Sequence, residues 1–361
     1  MWISALSAIV AVLVATQARD NRGTSRPEVD SARVIVEGLV RSQHIPGLAV
    51  TVTRGDSVVW HEGFGFADRA AGRTARPTTA FRIGSVSKLF TAVLLMRLAE
   101  QHVVALDTPI GTYLPLPPAI ASVTLRQLSG HLGGIRHYRG REFFTRTHYP
   151  NLRAGLEVFL GDSLLAPPGT RYSYSSYGYN LIGAVLEAAT RRAYTELLRQ
   201  SLVDPLRLAA TVADSSQLPA RAHLYDADTA GTVQDAQVDD LSGRWPSGGL
   251  LSSTDDLARF AQALFAPGFL TRGSLDQMFT SQHLLSGAST GVGIGWRIAT
   301  DSAGRTYWHH GGTSNGGSAF LLVYPAERVV VAMASNAFTG WGQRQAMAVA
   351  EVFLPIRRLP N

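Results

Sequence analysis

Strand-like segments occupy the two ends of this chain and helical segments fill its middle, and any fold it adopts must accommodate that segregation. Near the start, residues 48–53 and 57–63 flank the turn Arg54-Gly55-Asp56, a hairpin signal. Beyond Gly293 come four short runs of strand character, 295–300, 305–310, 318–324 and 328–335, and then a helical run over Gln343–Phe353. Ahead of the first hairpin, Ala32, Ile35, Val36, Leu39 and Val40 recur with the spacing of an amphipathic helix that must stop before Pro46. Between the two strand regions, proline and glycine punctuate helical segments near Leu156 and over 181–190, 195–202 and 253–265. Ser253 followed by Asp256 reads as a capping box in which aspartate is a weaker partner than glutamate.

The run Leu89, Phe90, Val93, Leu94, Met96 and Leu98 is helical in period and almost without polarity, which predicts a buried helix carrying Ser85 in its first turn. Three residues on stands Lys88, the single lysine among 33 basic side chains. Residues i and i+3 share a helix face, so the amine is placed to take the proton of the hydroxyl. Arginine could not replace it, because guanidinium stays charged in proteins whereas burial and neighbouring cations can bring lysine toward neutrality. The bland alternative, a solvated surface lysine, fits poorly beside Leu89 and Phe90.

Two further stretches carry chemistry-bearing residues. Tyr172, Tyr174, Tyr177 and Tyr179 follow the turn Pro168-Gly169, and although clustered tyrosines are usually core aromatics, Tyr174-Ser175-Ser176 offers a phenol and a hydroxyl on one side of an extended segment. Near the C-terminus, Trp308-His309-His310-Gly311-Gly312 opens a glycine-rich stretch in which the backbone could approach a bound acyl group closely. No His-Glu-x-x-His spacing or carboxylate cluster accompanies the two histidines, so no metal is expected. Gly312-Thr313-Ser314-Asn315-Gly316 matches the nucleophile elbow of α/β-hydrolases, yet that fold needs a histidine after the serine and the last histidine is His310.

At 361 residues the chain can bury one large core or two closely packed lobes, and 45% hydrophobic residues exclude disorder throughout. Cysteine is absent, which removes disulfides and thiolate metal sites and leaves the compartment to be read from targeting. Residues 2–18 are uncharged, apolar and small, and end in Thr16-Gln17-Ala18 before Arg19, which suits a cleaved signal peptide followed by a linker over 19–28. Export to the periplasm or extracellular space is the expectation; an uncleaved membrane anchor is the alternative. The net charge of +6 comes from arginines scattered singly, not from a basic stripe, so nucleic acid is not an expected partner.

Taken with their order, Gly84-Ser85-Val86-Ser87-Lys88, His131-Leu132-Gly133-Gly134-Ile135-Arg136-His137-Tyr138 and Tyr174-Ser175-Ser176-Tyr177-Gly178-Tyr179 resemble the class C β-lactamase and DD-peptidase superfamily, whose motifs are S-x-x-K, Y-x-N and K-T-G or H-x-G. The likeness is nearest to the serine β-lactamase-like peptidases of mitochondria and their bacterial relatives. It implies an α+β fold over 29–357, with an antiparallel sheet made from about 47–65 and 293–336, flanking helices, and an inserted mostly helical lobe over about 85–290. It implies that Ser85 forms an acyl-enzyme, that Lys88 and Tyr174 share base and acid work, and that the N–H groups of Ser85 and Gly312 form an oxyanion hole. Ser176, His309 and Gly311 would meet substrate, with His309 where the third motif's cation lies, and no cofactor would be needed. Ser176 replaces the family's asparagine and His309 its lysine, and a mostly neutral histidine weakens attraction for a carboxylate. The expected activity is therefore hydrolysis of peptides or small esters; the alternatives are a β-lactamase or D-alanyl-D-alanine carboxypeptidase, and a non-catalytic scaffold that assembles into filaments. Oligomers are compatible with either.

Overall fold

The computed structural model describes residues 26–355 apart from 215–217, 219, 220 and 229. The proposed signal segment and most of the linker lie outside the described residues, whereas the linker's last two positions are helical. Helix α1, Pro27–Ser42, starts on proline at its first turn, where the missing N–H costs nothing, and carries Glu28 and Asp30 toward its positive end. It turns aside at His44, held at φ 51°, and Pro46 then leads into the first strand.

Seven strands form the central sheet: β1 Gly47–Arg54, β2 Ser57–Asp68, β3 Arg73–Thr74, β4 Arg297–Thr300, β5 Thr306–Ser314, β6 Gly317–Tyr324 and β7 Val329–Ser335. Their order is β3-β2-β1-β7-β6-β5-β4, and every pairing is antiparallel. The two chain ends thus meet at the β1–β7 seam, from Leu48 opposite Ser335 to Arg54 opposite Val329. The α+β class follows, as the sequence implied.

Side-chain alternation gives this sheet two buried faces. Leu48, Val50, Val52, Val331, Met333, Leu322 and Tyr324 point outward onto α1 and the C-terminal helix α6, Gln343–Phe353. Their neighbours Ala49, Ala332, Ala334, Leu321 and Val323 point inward, to the core built around helix α2, Ser87–Glu100. Eleven of the fourteen residues of α2 are buried, so it has no polar stripe and runs through the centre of the molecule. Phe90 of α2 stacks on Phe260 of α5, Thr254–Ala263, at 4.0 Å between centroids. On the sheet's inner face Thr51 donates to Asp255 at 2.8 Å, fixing α5 to β1.

The middle of the chain adds α3, Leu152–Leu160, α4, Ser176–Thr190, and several shorter helices. It also holds short strands that the sequence did not suggest. Phe81–Arg82 pairs with Leu250–Ser252, which pairs in turn with Val212–Ala213; Tyr225–Ala227 pairs with Val233–Asp235 and, in parallel, with Ala337–Phe338. The expected capping box at the start of α5 is half formed. Ser253 Oγ accepts the Asp256 N–H at 3.1 Å, but the Asp256 carboxylate reaches away to the N–H of Ala210 and the hydroxyl of Thr211.

Candidate active site

Ser85 lies in a 3-10 turn, Gly84–Val86, that runs straight into α2. The turn follows the two-residue strand Phe81–Arg82 and is pressed against β5. A Cβ at Gly84, already at φ 47°, would lie 2.5 Å from the Thr313 carbonyl, and one at Gly312 would lie 1.9 Å from the Ile83 carbonyl. Gly312 therefore allows the close approach of β5 to the turn that carries Ser85.

Lys88 is fully buried and its amine meets three oxygens: Ser85 Oγ at 3.0 Å, Ser176 Oγ at 3.0 Å and the Ser247 carbonyl at 2.6 Å. Burial pushes its pKa from the usual 10.5 down to about 7, and the guanidinium groups of Arg297 and Arg244 push the same way. A neutral amine has two N–H bonds and one lone pair. The Ser247 carbonyl can only accept, so it fixes one N–H; Ser176 Oγ can take the other, and the lone pair then faces the Ser85 hydroxyl. From the opposite side the Tyr174 hydroxyl donates to Ser85 Oγ at 2.8 Å, and burial keeps that phenol protonated by raising its pKa.

Tyr174 and Ser176 reach this point because the chain turns between them. Ser175 is the N-cap of α4: its Oγ accepts the Gly178 N–H at 3.0 Å and donates to the Arg136 carbonyl at 2.7 Å. The expected extended segment is thus an extended loop that turns into a helix at Ser175. Two histidines hold it. His131 Nδ1 accepts the Ser175 N–H at 3.2 Å and His137 Nδ1 accepts the Ser176 N–H at 3.3 Å. Both must be neutral at that nitrogen, and burial, reinforced by the charge of Lys88, lowers both pKa values, His137 to about 4.

His309 and His310 take opposite faces of β5, and it is His310 that turns toward Tyr174. Alternation along β5 turns His309 to the sheet's outer face, where its ring lies 5.5 Å from Phe320 and its Nδ1 is buried with no hydrogen-bond partner among the described residues. His310 points inward instead, with its ring 6.2 Å from that of Tyr174 and its pKa lowered by burial and by Lys88. Its Nδ1 lies 2.6 Å from the Gly311 carbonyl; a carbonyl cannot donate, so that nitrogen carries the proton and Nε2 is the acceptor. The same alternation bears on the expected Gly312 N–H. Asn315-Gly316 closes the β5–β6 hairpin with Ser314 opposite Gly317, and alternation from that hydrogen-bonded pair sends the Gly312 N–H into β6 and the Thr313 N–H to the open edge. Thr313 lines the cleft and Gly312 does not. The hairpin also disposes of the α/β-hydrolase elbow, since a strand follows Ser314 where that motif needs a helix.

Ser85, Tyr174 and Ser176 open into a cleft of about 680 Å³, walled by Tyr138, Phe143, Phe320 and Ile298. His309 and Gly311 line its β5 side. One residue the sequence reading missed stands in it: Arg297, the first residue of β4, whose guanidinium lies 5.7 Å from the Tyr174 ring and forms no salt bridge among the described residues. A fixed cation is therefore present in the cleft, where the sequence led to the expectation that this charge is weakened, and it comes from β4.

A family model described as Beta-lactamase matches residues 32–353. The chain belongs to that family. Among curated relatives, the human mitochondrial serine beta-lactamase-like protein LACTB is 24% identical over 83% of this chain and 72% of its own length. Penicillin-binding protein 4* of Bacillus subtilis strain 168 is 26% identical over 80% of this chain and 67% of its own. Among solved structures, the octameric penicillin-binding protein homologue from Pyrococcus abyssi superposes with a TM-score of 0.79 at 22% identity, covering 90% of this chain and 77% of that one. The beta-lactamase fold is thus shared from α1 to α6. No helix among the described residues is long and apolar enough to cross a membrane.

Proposed function

We propose that the protein is a serine hydrolase that cleaves peptide or ester bonds through an acyl-Ser85 intermediate, without a cofactor. The observation that carries this reading is the convergence on Ser85 Oγ of a near-neutral amine at 3.0 Å and a protonated phenol at 2.8 Å. Lys88 takes the Oγ proton as Oγ bonds to the substrate's carbonyl carbon. The developing oxyanion is met by the N–H of Ser85 and, in place of Gly312, by that of Thr313, each donor contributing about 3 kcal/mol. Tyr174 gives its proton to the departing amine or alcohol as the C–N or C–O bond breaks, and is reprotonated by Lys88. Water then attacks the ester of Ser85 with Lys88 and Tyr174 as base, releasing the acid and restoring the hydroxyl.

A second reading is favoured by Arg297. A substrate with a carboxylate close to the scissile bond, as in a β-lactam or a peptide ending in D-alanine, would find in this guanidinium the charge that neither histidine supplies. Export remains part of the proposal, since the apolar residues 2–18 that motivate it lie outside the described residues.

Labelling by a fluorophosphonate should be strong in the wild type, absent in Ser85→Ala and at least about 100-fold slower in Tyr174→Phe. A folded wild type that takes no label would instead leave the scaffold reading. Rates on a short-chain nitrophenyl ester, a chromogenic cephalosporin and a D-alanyl-D-alanine peptide then separate the substrate classes.

A further inference from the structure

We infer that Asp239 is a positioning residue for the Ser85–Lys88 pair, acting through Arg82 on the nucleophile turn and through Arg244 on the loop that holds the amine. The inference rests on the hydrolase reading above.

Asp239 is buried, its side chain only 3% exposed, and divides its carboxylate between two arginines. One oxygen accepts from Arg82 Nη1; the other accepts from Arg244 Nη2 at 2.7 Å. Arg82, itself 1% exposed, stands three residues before Ser85. It also donates to the Asp239 carbonyl at 3.3 Å, to Asp214 at 2.7 Å and to the Asn315 carbonyl at 3.1 Å, in the turn that follows Thr313. A single guanidinium thus joins the strand leading to the nucleophile, the hairpin carrying the second oxyanion donor, and the 239–249 loop.

Arg244 is the other arm. Its carbonyl accepts the N–H groups of Ser247, Gly248 and Gly249 at 2.9 to 3.0 Å, the tight turn that aims the Ser247 carbonyl at Lys88. Its guanidinium lies over Tyr138 at 5.4 Å and Phe143 at 5.7 Å, the aromatic wall of the cleft, and donates to the Phe143 carbonyl at 2.9 Å. Its charge bears on Lys88, and its guanidinium is paired with the Asp239 carboxylate at 2.7 Å.

An ion network of this kind is costly to bury, and apolar residues of similar volume often serve stability as well or better. What it supplies here is direction: forked donors fix three backbone segments in one geometry, which apolar packing does not specify. The groups facing Lys88 come from every side. They are Tyr174 from the loop just before α4, Tyr179 from its first turn, His131, His137 and Tyr138 from the loop before α3, His310 from β5, Arg297 from β4 and Arg244. Only Arg244 among them is paired with Asp239.

The test is the rate of fluorophosphonate inactivation between about pH 5 and about pH 9, which reads the fraction of neutral Lys88 as its rising limb. Asp239→Asn keeps the shape and removes the charge. The plateau should fall by at least about tenfold and the limb should move to lower pH by about half a unit or more, because Arg244 then presses on Lys88 undiluted. Adding Arg244→Gln to that variant should return the limb toward the wild-type position. A plateau loss with an unmoved limb would reduce Asp239 to a structural residue, and an unchanged profile would remove even that; either result overturns the inference. Should Asp239→Asn not fold, Arg244→Gln alone must raise the limb, and an unmoved limb there overturns it equally. Failure of the hydrolase reading looks different: the wild type itself would take no label.

Discussion

Replacing Lys88 by methionine should make the protein more stable at neutral pH while removing its chemistry. The side chain is fully buried, and its pKa falls from 10.5 in the unfolded chain to about 7 in the fold. At about 1.4 kcal/mol per pH unit, this displacement corresponds to about 5 kcal/mol of folding free energy spent on the amine. Methionine has similar length and no charge, but it abandons the Ser247 carbonyl and the Ser176 hydroxyl, at about 1 to 3 kcal/mol in total. The sign with pH is fixed by proton counting. Below about pH 7 both folded and unfolded wild type carry the proton, so the whole penalty is present. Above it only the unfolded chain carries it, so wild-type stability rises with pH until about 10.5, while the variant has nothing there to titrate. Lys88→Met should therefore be more stable than wild type by about 2 kcal/mol at about pH 6, with the advantage gone by about pH 9. Paired denaturant melts at the two pH values measure it, and titrating groups that do not feel Lys88 cancel in the difference; His131, His137 and His310, whose pKa values its charge lowers, do not. A difference that stays constant across that range would mean that the folded amine does not lose its proton near neutrality, and the proposed base would be lost with it. Inactivation by a fluorophosphonate should drop by about 100-fold or more in the same variant.

Arg297→Gln removes a cation that lowers the Lys88 pKa, so the rising limb of the rate profile should move above pH 7, and hydrolysis of a carboxylate-bearing substrate should fall by at least about tenfold more than that of a neutral nitrophenyl ester. Equal losses on both substrates would take Arg297 out of substrate binding. Gly312→Ala places a methyl group 1.9 Å from the Ile83 carbonyl and 3.0 Å from the Ser85 nitrogen, contacts that backbone cannot easily relieve. It should cost about 2 to 4 kcal/mol in a thermal or denaturant melt and abolish labelling of whatever folds; wild-type stability would show that β5 is not pressed on the nucleophile turn.

What could be read from the chain follows the range of the interactions involved. Ser85 and Lys88 lie three residues apart on one helix, so their meeting is a local fact, and the apolar run after them announces that the helix is buried. Alternation within single strands likewise announced the sheet. Two positions turn on the parity of β5, whether His309 or His310 faces Tyr174 and whether Gly312 or Thr313 has its N–H at the open edge, and their cause is shared: the register of β5 is set by where its hairpin closes, although His309 still lines the cleft. Asn315-Gly316 is itself a turn signal, and counting back from it assigns Thr313 to the open edge; a side-chain parity fixed by the inward-facing Trp308 assigns His310 to the interior. Other parts had no local signature. Ser247 contributes a carbonyl, which every residue owns, and it meets Lys88 across 159 positions of chain. Arg297 is one arginine of many until β4 is paired with β5, and Asp239 gains its meaning only from Arg82, 157 positions away.

These long-range residues share an electrostatic logic. The partners of Lys88 are two hydroxyls and a carbonyl, and the charges that bear on it include Arg297 and Arg244; among the described residues no carboxylate hydrogen-bonds to it. A carboxylate beside the amine would hold its proton and return the pKa toward 10. Glu142 comes near, through its effect on His137, but is tied to Arg136 at 2.7 Å and to the Tyr177 hydroxyl at 2.9 Å. The three histidines around the site, His131, His137 and His310, have lowered pKa values and so add hydrogen-bonding capacity without adding charge. On the proposed mechanism, a weakly positive cavity would keep Lys88 neutral in the resting state and would favour an oxyanion forming at Thr313 and Ser85, so the charges that prepare the proposed nucleophile would also stabilise the product of its attack.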